Sequence, residues 1–184
     1  MSLSRAHLRA LPPPVDPPED LATEPEPDPE SVARTICLRM LTNRPCTKAE
    51  LATELRRRGV PGEAAEAVLE RFDEVGLIDD AAFAASWVER QRRTRGLSRR
   101  ALAAELRRKG VAAEDVSEAV AVVTDDDERA RAAELVARKL GSVRGLDRPK
   151  QVNRLVGMLA RKGYGGSLAY SVVREALGDA DADF

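Results

Sequence analysis

The side chains in this chain that could do chemistry are cationic. Between Arg90 and Lys109 nine Lys or Arg residues (90, 92, 93, 95, 99, 100, 107, 108 and 109) stand against one acid, Glu105, a net +8 inside a 184-residue chain whose formal net charge is −1. Guanidinium and ammonium groups at that density recognise phosphate oxygens or carboxylates. Groups that make or break bonds are missing. The single histidine, His7, lies in the N-terminal segment, and Cys37 and Cys46 are nine residues apart with no histidine beside them. No zinc site assembles from that inventory. There is no GxxxxGK[ST] phosphate cradle, no GxSxG turn and no paired His and Glu for a metal. Gly163, Gly165 and Gly166 look like a glycine-rich loop only superficially, and Asp125–Asp127 reads as a helix cap. The expectation is a binding protein with no catalytic residue, no metal and no cofactor.

Helical phase sorts these cations by direction. At about 100° per residue, Arg90 falls within the apolar stripe of Phe83 and Trp87, so its stem is expected to pack there and its head to pair a carboxylate. Arg92 lies opposite Phe83 and is expected to point outward, with Arg93 and Arg95 beside it. Arg100 and Arg107, seven residues apart, share a face turned away from Leu102 and Leu106 and form a cationic stripe flanked by Arg99. Arg108 and Lys109 add charge at the end of the same helix, partly explained by its dipole. Solvated helical faces usually alternate signs; this one does not, which points to a partner. The partner-binding candidates are therefore Arg92, Arg93, Arg95, Arg99, Arg100, Arg107, Arg108 and Lys109.

The elements that position these residues repeat. A basic helix end followed by glycine and an apolar residue occurs as LRRRGV, LRRKGV and LARKGY, and aligning Gly59, Gly110 and Gly163 brings the rest into register. Leu55/Leu106/Leu159 and Leu51/Leu102/Leu155 match upstream, then the breakers Pro45/Gly96/Pro149, then Ile36/Trp87/Leu140 and Val32/Phe83/Val136. The glycines are 51 and 53 residues apart. Such self-similarity marks a tandem repeat.

Each unit reads as three helices. The first carries the i, i+4 apolar pair, the second starts near Thr47, Ser98 or Gln151, and the third covers 63–75, 114–123 or 167–177. Thr47 with Glu50 forms a capping box, Ser98 is a plain N-cap, and the glycine closes helix two in the left-handed region. Asp79/Asp80 and Asp125–Asp127 cap the units that follow. Phe83, Trp87, Leu102, Leu106 and Gly110 are then the structural core of the middle copy. Tyr164 and Tyr170 are left as exposed aromatics. Cys37, on an apolar face, is a packed thiol.

The fold class is all-α, an elongated array of three tandem three-helix repeats with a disordered N-terminal tail. The boundaries are a Pro-rich acidic tail over 1–30, repeats over 31–78, 79–124 and 125–178, and a C-terminal tail over 179–184. In the N-terminal segment the acids from Asp16 to Glu30 outnumber Arg5 and Arg9 seven to two, and the prolines exclude helix. It reads as a solubilising extension or as an intramolecular mimic competing for the basic stretch. With no signal peptide and no apolar run near the length of a membrane span, the expectation is a cytoplasmic, soluble monomer.

The run Asp80-x-x-Phe83-Ala84-x-x-Trp87-x-x-Arg90, then Gly96, then Leu102-x-x-Glu105-Leu106-x-x-Lys109-Gly110, resembles the RecX family of bacterial recombination regulators. The resemblance spans about residues 31–178 and leaves the acidic tail outside. It implies a protein that lodges along the RecA–DNA filament, restrains its ATP hydrolysis, strand exchange and coprotease stimulation, and binds DNA weakly without sequence preference. Two other readings stay open: an autonomous helix-turn-helix DNA reader, and a protein–protein adaptor indifferent to nucleic acid. Against the reader, the basic side chains suit phosphates and no cluster of Asn, Gln and Ser opens a recognition helix.

Overall fold

The computed structural model describes residues 28–178. These residues form nine helices and no strand: α1 (Pro29–Asn43), α2 (Lys48–Arg57), α3 (Gly62–Glu74), α4 (Asp80–Arg95), α5 (Arg99–Arg108), α6 (Ala113–Ala121), α7 (Asp125–Leu140), α8 (Arg148–Arg161) and α9 (Gly166–Leu177). The C-terminal tail and the N-terminal tail up to residue 27 lie outside the described residues. At its near end, α1 already begins at Pro29, because Asp28 caps the Ser31 amide and proline fits a first helical turn.

Helices pack in consecutive triplets, each around its own core. At the centre of each stand the two leucines of the second helix, Leu51/Leu55, Leu102/Leu106 and Leu155/Leu159, at most 1% exposed. Burying each contributes about 1.5–3 kcal/mol relative to exposure.

Local signals set most helix ends. Asp79, Ser98 and Thr124 cap α4, α5 and α7 by accepting from the amide three residues on, and Thr124 with Asp127 makes a full capping box. The box expected at Thr47 is only half present. Thr47 accepts from the Glu50 amide, but the Glu50 carboxylate is drawn away to Lys109 at 2.6 Å and Arg44 at 2.8 Å. In the third unit α8 starts at Arg148, not near Gln151, because Pro149 sits in the first turn and lengthens the helix.

The units join through the ends of their second helices. Thr47, the N-cap of α2, donates its hydroxyl to the Lys109 carbonyl at the C-terminus of α5 (2.7 Å). Ser98, the N-cap of α5, donates its amide to the Lys162 carbonyl at the C-terminus of α8 (3.0 Å). The first amide of each receiving helix is taken by an acid of the following unit: Lys48 N–H by Asp80 (3.0 Å) and Arg99 N–H by Glu128 (2.7 Å). The second helices thus meet positive dipole end to negative dipole end.

Glycine makes this approach possible. Gly59, Gly110 and Gly163 all have positive φ (75°, 79° and 90°). A Cβ on Gly110 would lie 2.2 Å from Cβ of Ala49, and one on Gly163 would lie 2.5 Å from Ser98 Oγ and 2.6 Å from Cβ of Ala101. Gly59, at the end of α2 in the first described unit, would meet nothing within 4 Å. Urea melts should separate these roles. Gly59→Ala costs about 1–2 kcal/mol for left-handed strain alone, whereas Gly163→Ala adds an overpacking loss of about 1–3 kcal/mol. Equal losses at the two positions would contradict the junction role.

Candidate functional site

The cationic residues sit on the last turn of α4 and along α5, between both junctions. That position divides them.

Three expected partner-binding residues are held in contacts between units. Arg92 is only 30% exposed and approaches Asp127 of α7 at 3.7 Å. The Arg99 guanidinium pairs with Asp125 at 2.7 Å and donates to the Val123 carbonyl. Lys109 turns back onto unit 1, paired with Glu50. Arg92 was expected to point into solvent because it lies opposite the core stripe of α4. That side of the last turn is where α7 docks, and Arg131 of α7 donates to the Arg92 and Arg93 carbonyls (3.1 and 3.0 Å).

The others face outward. Arg93 and Arg107 are exposed and have no side-chain hydrogen bond or ion pair among the described residues. Arg100 is exposed, although its Nε donates to the Gly163 carbonyl at 3.1 Å. Arg108 is 75% exposed and only loosely near Glu105, at 3.9 Å. Arg95, 53% exposed, pairs with Glu105 at 2.9 Å. The one acid of the basic run is thus engaged by Arg95.

Phe83 and Trp87 stack with ring centroids 5.8 Å apart. Phe83 is buried, as a core role demands; Trp87 is only half-buried. Lys109 lies over the Trp87 ring at 4.4 Å from one side of the junction, and the Arg90 guanidinium lies over the same ring at 4.9 Å. Arg90 therefore does not pair a carboxylate as expected: it is exposed and makes a cation–π contact. Tyr164 corrects a further expectation. It is 3% exposed and donates its hydroxyl to the Gly96 carbonyl at 3.1 Å, and burial pushes its phenol up to about 12. It occupies the register position of Val60 and Val111, beside a glycine that enters the junction. Tyr170 is exposed as expected.

Sequence reasoning missed the extension of this surface into unit 3. The Lys162 ammonium donates to the Arg95 carbonyl, and its pKa is held down by burial first and then by Arg95, Arg131 and Arg138. The clue was the register, which equates Lys162 with Lys109. No group of three His, Cys, Asp or Glu side chains among the described residues could hold a metal ion. Cys37 is fully buried, and desolvation, with Cys46 nearby, pushes its thiol up to about 11. No described helix is long and apolar enough to cross a membrane.

Tandem three-helix units, with a cationic face on the middle copy, define an all-helical repeat array. Models of the first, second and third three-helix domains of RecX match residues 33–72, 79–120 and 126–173, more than half of the chain. The chain belongs to the RecX family of regulatory proteins. It is 55% identical over 160 residues to the regulatory protein RecX of Streptomyces coelicolor, covering 87% of this chain and 85% of that one. With the regulatory protein RecX of Thermobifida fusca it shares 53% over 145 residues, covering 79% and 78%. The crystal structure of RecX from Lactobacillus salivarius has the same fold, with a TM-score of 0.73 at 18% identity over 81% of this chain and 97% of that one.

Glu50 ties the first junction to pH. Burial works to raise its carboxyl, but hydrogen bonds from Lys109 and Arg44 hold it below its ordinary 4.5. A depressed carboxylate stabilises the fold above the ordinary value, and that contribution is lost as pH falls through the lowered one. Fluorescence of Trp87, the only tryptophan, should therefore shift in acid below 4.5, as Glu50 protonates and Lys109 loosens over the ring. Glu50→Gln should remove that step; its persistence would place the titration elsewhere. Because Trp87 is half-buried, Trp87→Ala should cost less than the roughly 3–5 kcal/mol of a fully buried aromatic.

Proposed function

We propose that this chain binds the RecA–DNA filament and lowers RecA's recombinase, ATPase and coprotease activities, and so modulates DNA repair and the SOS response. Membership of the RecX family supports the regulatory role. The observation that carries the rest is the exposed set Arg93, Arg100, Arg107 and Arg108, in a run from Arg90 to Lys109 whose one acid, Glu105, is engaged by Arg95. An array of units joined end to end suits a partner that is itself a repeating filament, since neighbouring units can meet neighbouring protomers.

On this reading the arginines contact phosphates or acidic filament surfaces, which position a binder without reading sequence. DNA alone is bound weakly, with steep salt dependence and no preference among sequences. An autonomous DNA reader would instead discriminate sequences strongly.

RecA ATP turnover on single-stranded DNA is the direct test. The chain should depress turnover at amounts stoichiometric with RecA. The pair Arg93→Glu with Arg107→Glu, which disturbs no contact between units, should abolish inhibition, leave the thermal melt nearly unchanged and lower the salt slope of DNA binding by about 1–2. Turnover untouched by the unmodified chain would overturn the proposal.

A further inference from the structure

Cationic side chains gather a second time in unit 3. From Arg138 to Lys162 eight Lys or Arg residues (138, 139, 144, 148, 150, 154, 161 and 162) stand against one acid, Asp147, a net +7. Three of the eight are tied. Arg148 donates to the Leu177 and Gly178 carbonyls, Lys150 pairs with Asp147 at 3.3 Å, and Lys162 reaches the Arg95 carbonyl. Arg138, Lys139, Arg144, Arg154 and Arg161 are exposed and have no side-chain hydrogen bond or ion pair among the described residues.

Two of these share one face of α8. Arg154 and Arg161 are seven residues apart, within about 20° of each other, the spacing that Arg100 and Arg107 have on α5. A Cβ on Gly157, between them, would stand 3.6 Å from Arg161 Nη1, so the Arg161 guanidinium lies back along α8 toward Arg154. No acid occurs in α8: the glycine register puts Met158 where α2 has Glu54 and α5 has Glu105.

The second junction brings the two arginine pairs end to end. Ser98 N–H donates to the Lys162 carbonyl, and Arg100 Nε donates to the Gly163 carbonyl, two residues past Arg161. Neither α8 nor the first turn of α5 has an acid to separate them, since Ala101 holds the register position of Glu50. At the first junction Glu50 takes both Lys109 and Arg44, and on α2 Glu54 takes Arg57 and Arg58. The unpaired row therefore runs over α8 and α5 and stops at α2.

We propose that one DNA strand lays its phosphodiester backbone along α8 and α5 across the second junction, its phosphates met by Arg154 and Arg161 and then by Arg100 and Arg107. The site rests on the reading above that this chain meets DNA, and it adds unit 3 to the contact. Guanidinium groups fork onto phosphate oxygens and read no base. The helices rise about 12 Å from Arg154 to Lys162 and about 13.5 Å from Ser98 to Arg107. At about 3.4 Å per phosphate the row spans on the order of eight nucleotides. Four arginines spread over that length give weak, sequence-independent binding.

Salt-dependent binding of the full-length chain to a single-stranded oligonucleotide of about 10 nucleotides, just longer than the row, tests this. Arg154→Gln with Arg161→Gln should lower the slope of log K against log salt by about 1.4, two contacts at about 0.7 each, and leave the thermal melt nearly unchanged. Arg154→Lys with Arg161→Lys should keep the slope. Arg34→Gln with Arg39→Gln removes two equally exposed and unpaired cations from α1 and should not change it. One oligonucleotide should bind per chain at saturation. A slope unmoved by the glutamine pair on α8 overturns the proposal and leaves inhibition of RecA turnover standing. Equal losses from the α8 and α1 pairs mark a diffuse charge effect and overturn it, as does loss of the slope in the lysine pair, whose charge is intact. Two oligonucleotides per chain make α8 and α5 separate sites, and no binding by the unmodified chain removes the strand altogether; either result overturns it. Slopes that change as expected beside untouched RecA turnover uphold the strand site and sink only the filament role.

Discussion

A helix end without a side chain is the constraint on which this structure depends. Gly110 and Gly163 let the C-terminus of one second helix come within contact distance of the N-terminus of another, closer than any Cβ allows. Once there, the carbonyl of the C-cap residue finds a donor that the receiving helix cannot satisfy internally, and the two dipoles meet with opposite ends. Each unit has a closed core of its own, so the junctions have no large apolar interface to hold them. Polar and charged groups at helix ends do that work.

The two junctions are not equal. The first is held by Thr47, Lys48 and Glu50 against Lys109 and Asp80. The second adds Arg99 to Asp125, Arg100 to the Gly163 carbonyl, Arg131 to two carbonyls of α4, and the buried Tyr164 hydroxyl to Gly96. Units 2 and 3 therefore share more polar contacts than units 1 and 2. The cations of the middle unit serve both purposes, some as mortar between units and some as solvent-facing charge. The surface proposed to meet the filament is the remainder after the junctions have taken Arg92, Arg99, Lys109 and the Nε of the exposed Arg100.

Much of this was legible in the sequence. The glycine register located all three units, because a left-handed helix end leaves a fixed residue type at a fixed offset. The core leucines and most caps followed from periodicity and short-range chemistry. What stayed hidden depends on contacts between units. Helical phase knows only the core of its own unit, so it placed Arg92 in solvent where α7 in fact lies. The same blindness left Tyr164 exposed and kept Glu50 in a capping box, although Lys109 from the next unit outcompetes the backbone for it. Register, applied to Lys162 as it was to Gly163, would have revealed that the basic surface continues into unit 3.

The close approach at the first junction can be measured as a coupling free energy. A double-mutant cycle on Ala49→Gly and Gly110→Ala isolates the contact between Cβ atoms that would stand 2.2 Å apart. Gly110→Ala alone should be strongly destabilising, and Ala49→Gly alone should cost about 0.5–1 kcal/mol for a glycine in a helix. Together, with the clash relieved, they should recover about 0.5–3 kcal/mol of the summed loss. Simple additivity of the two losses would contradict a junction built on that approach.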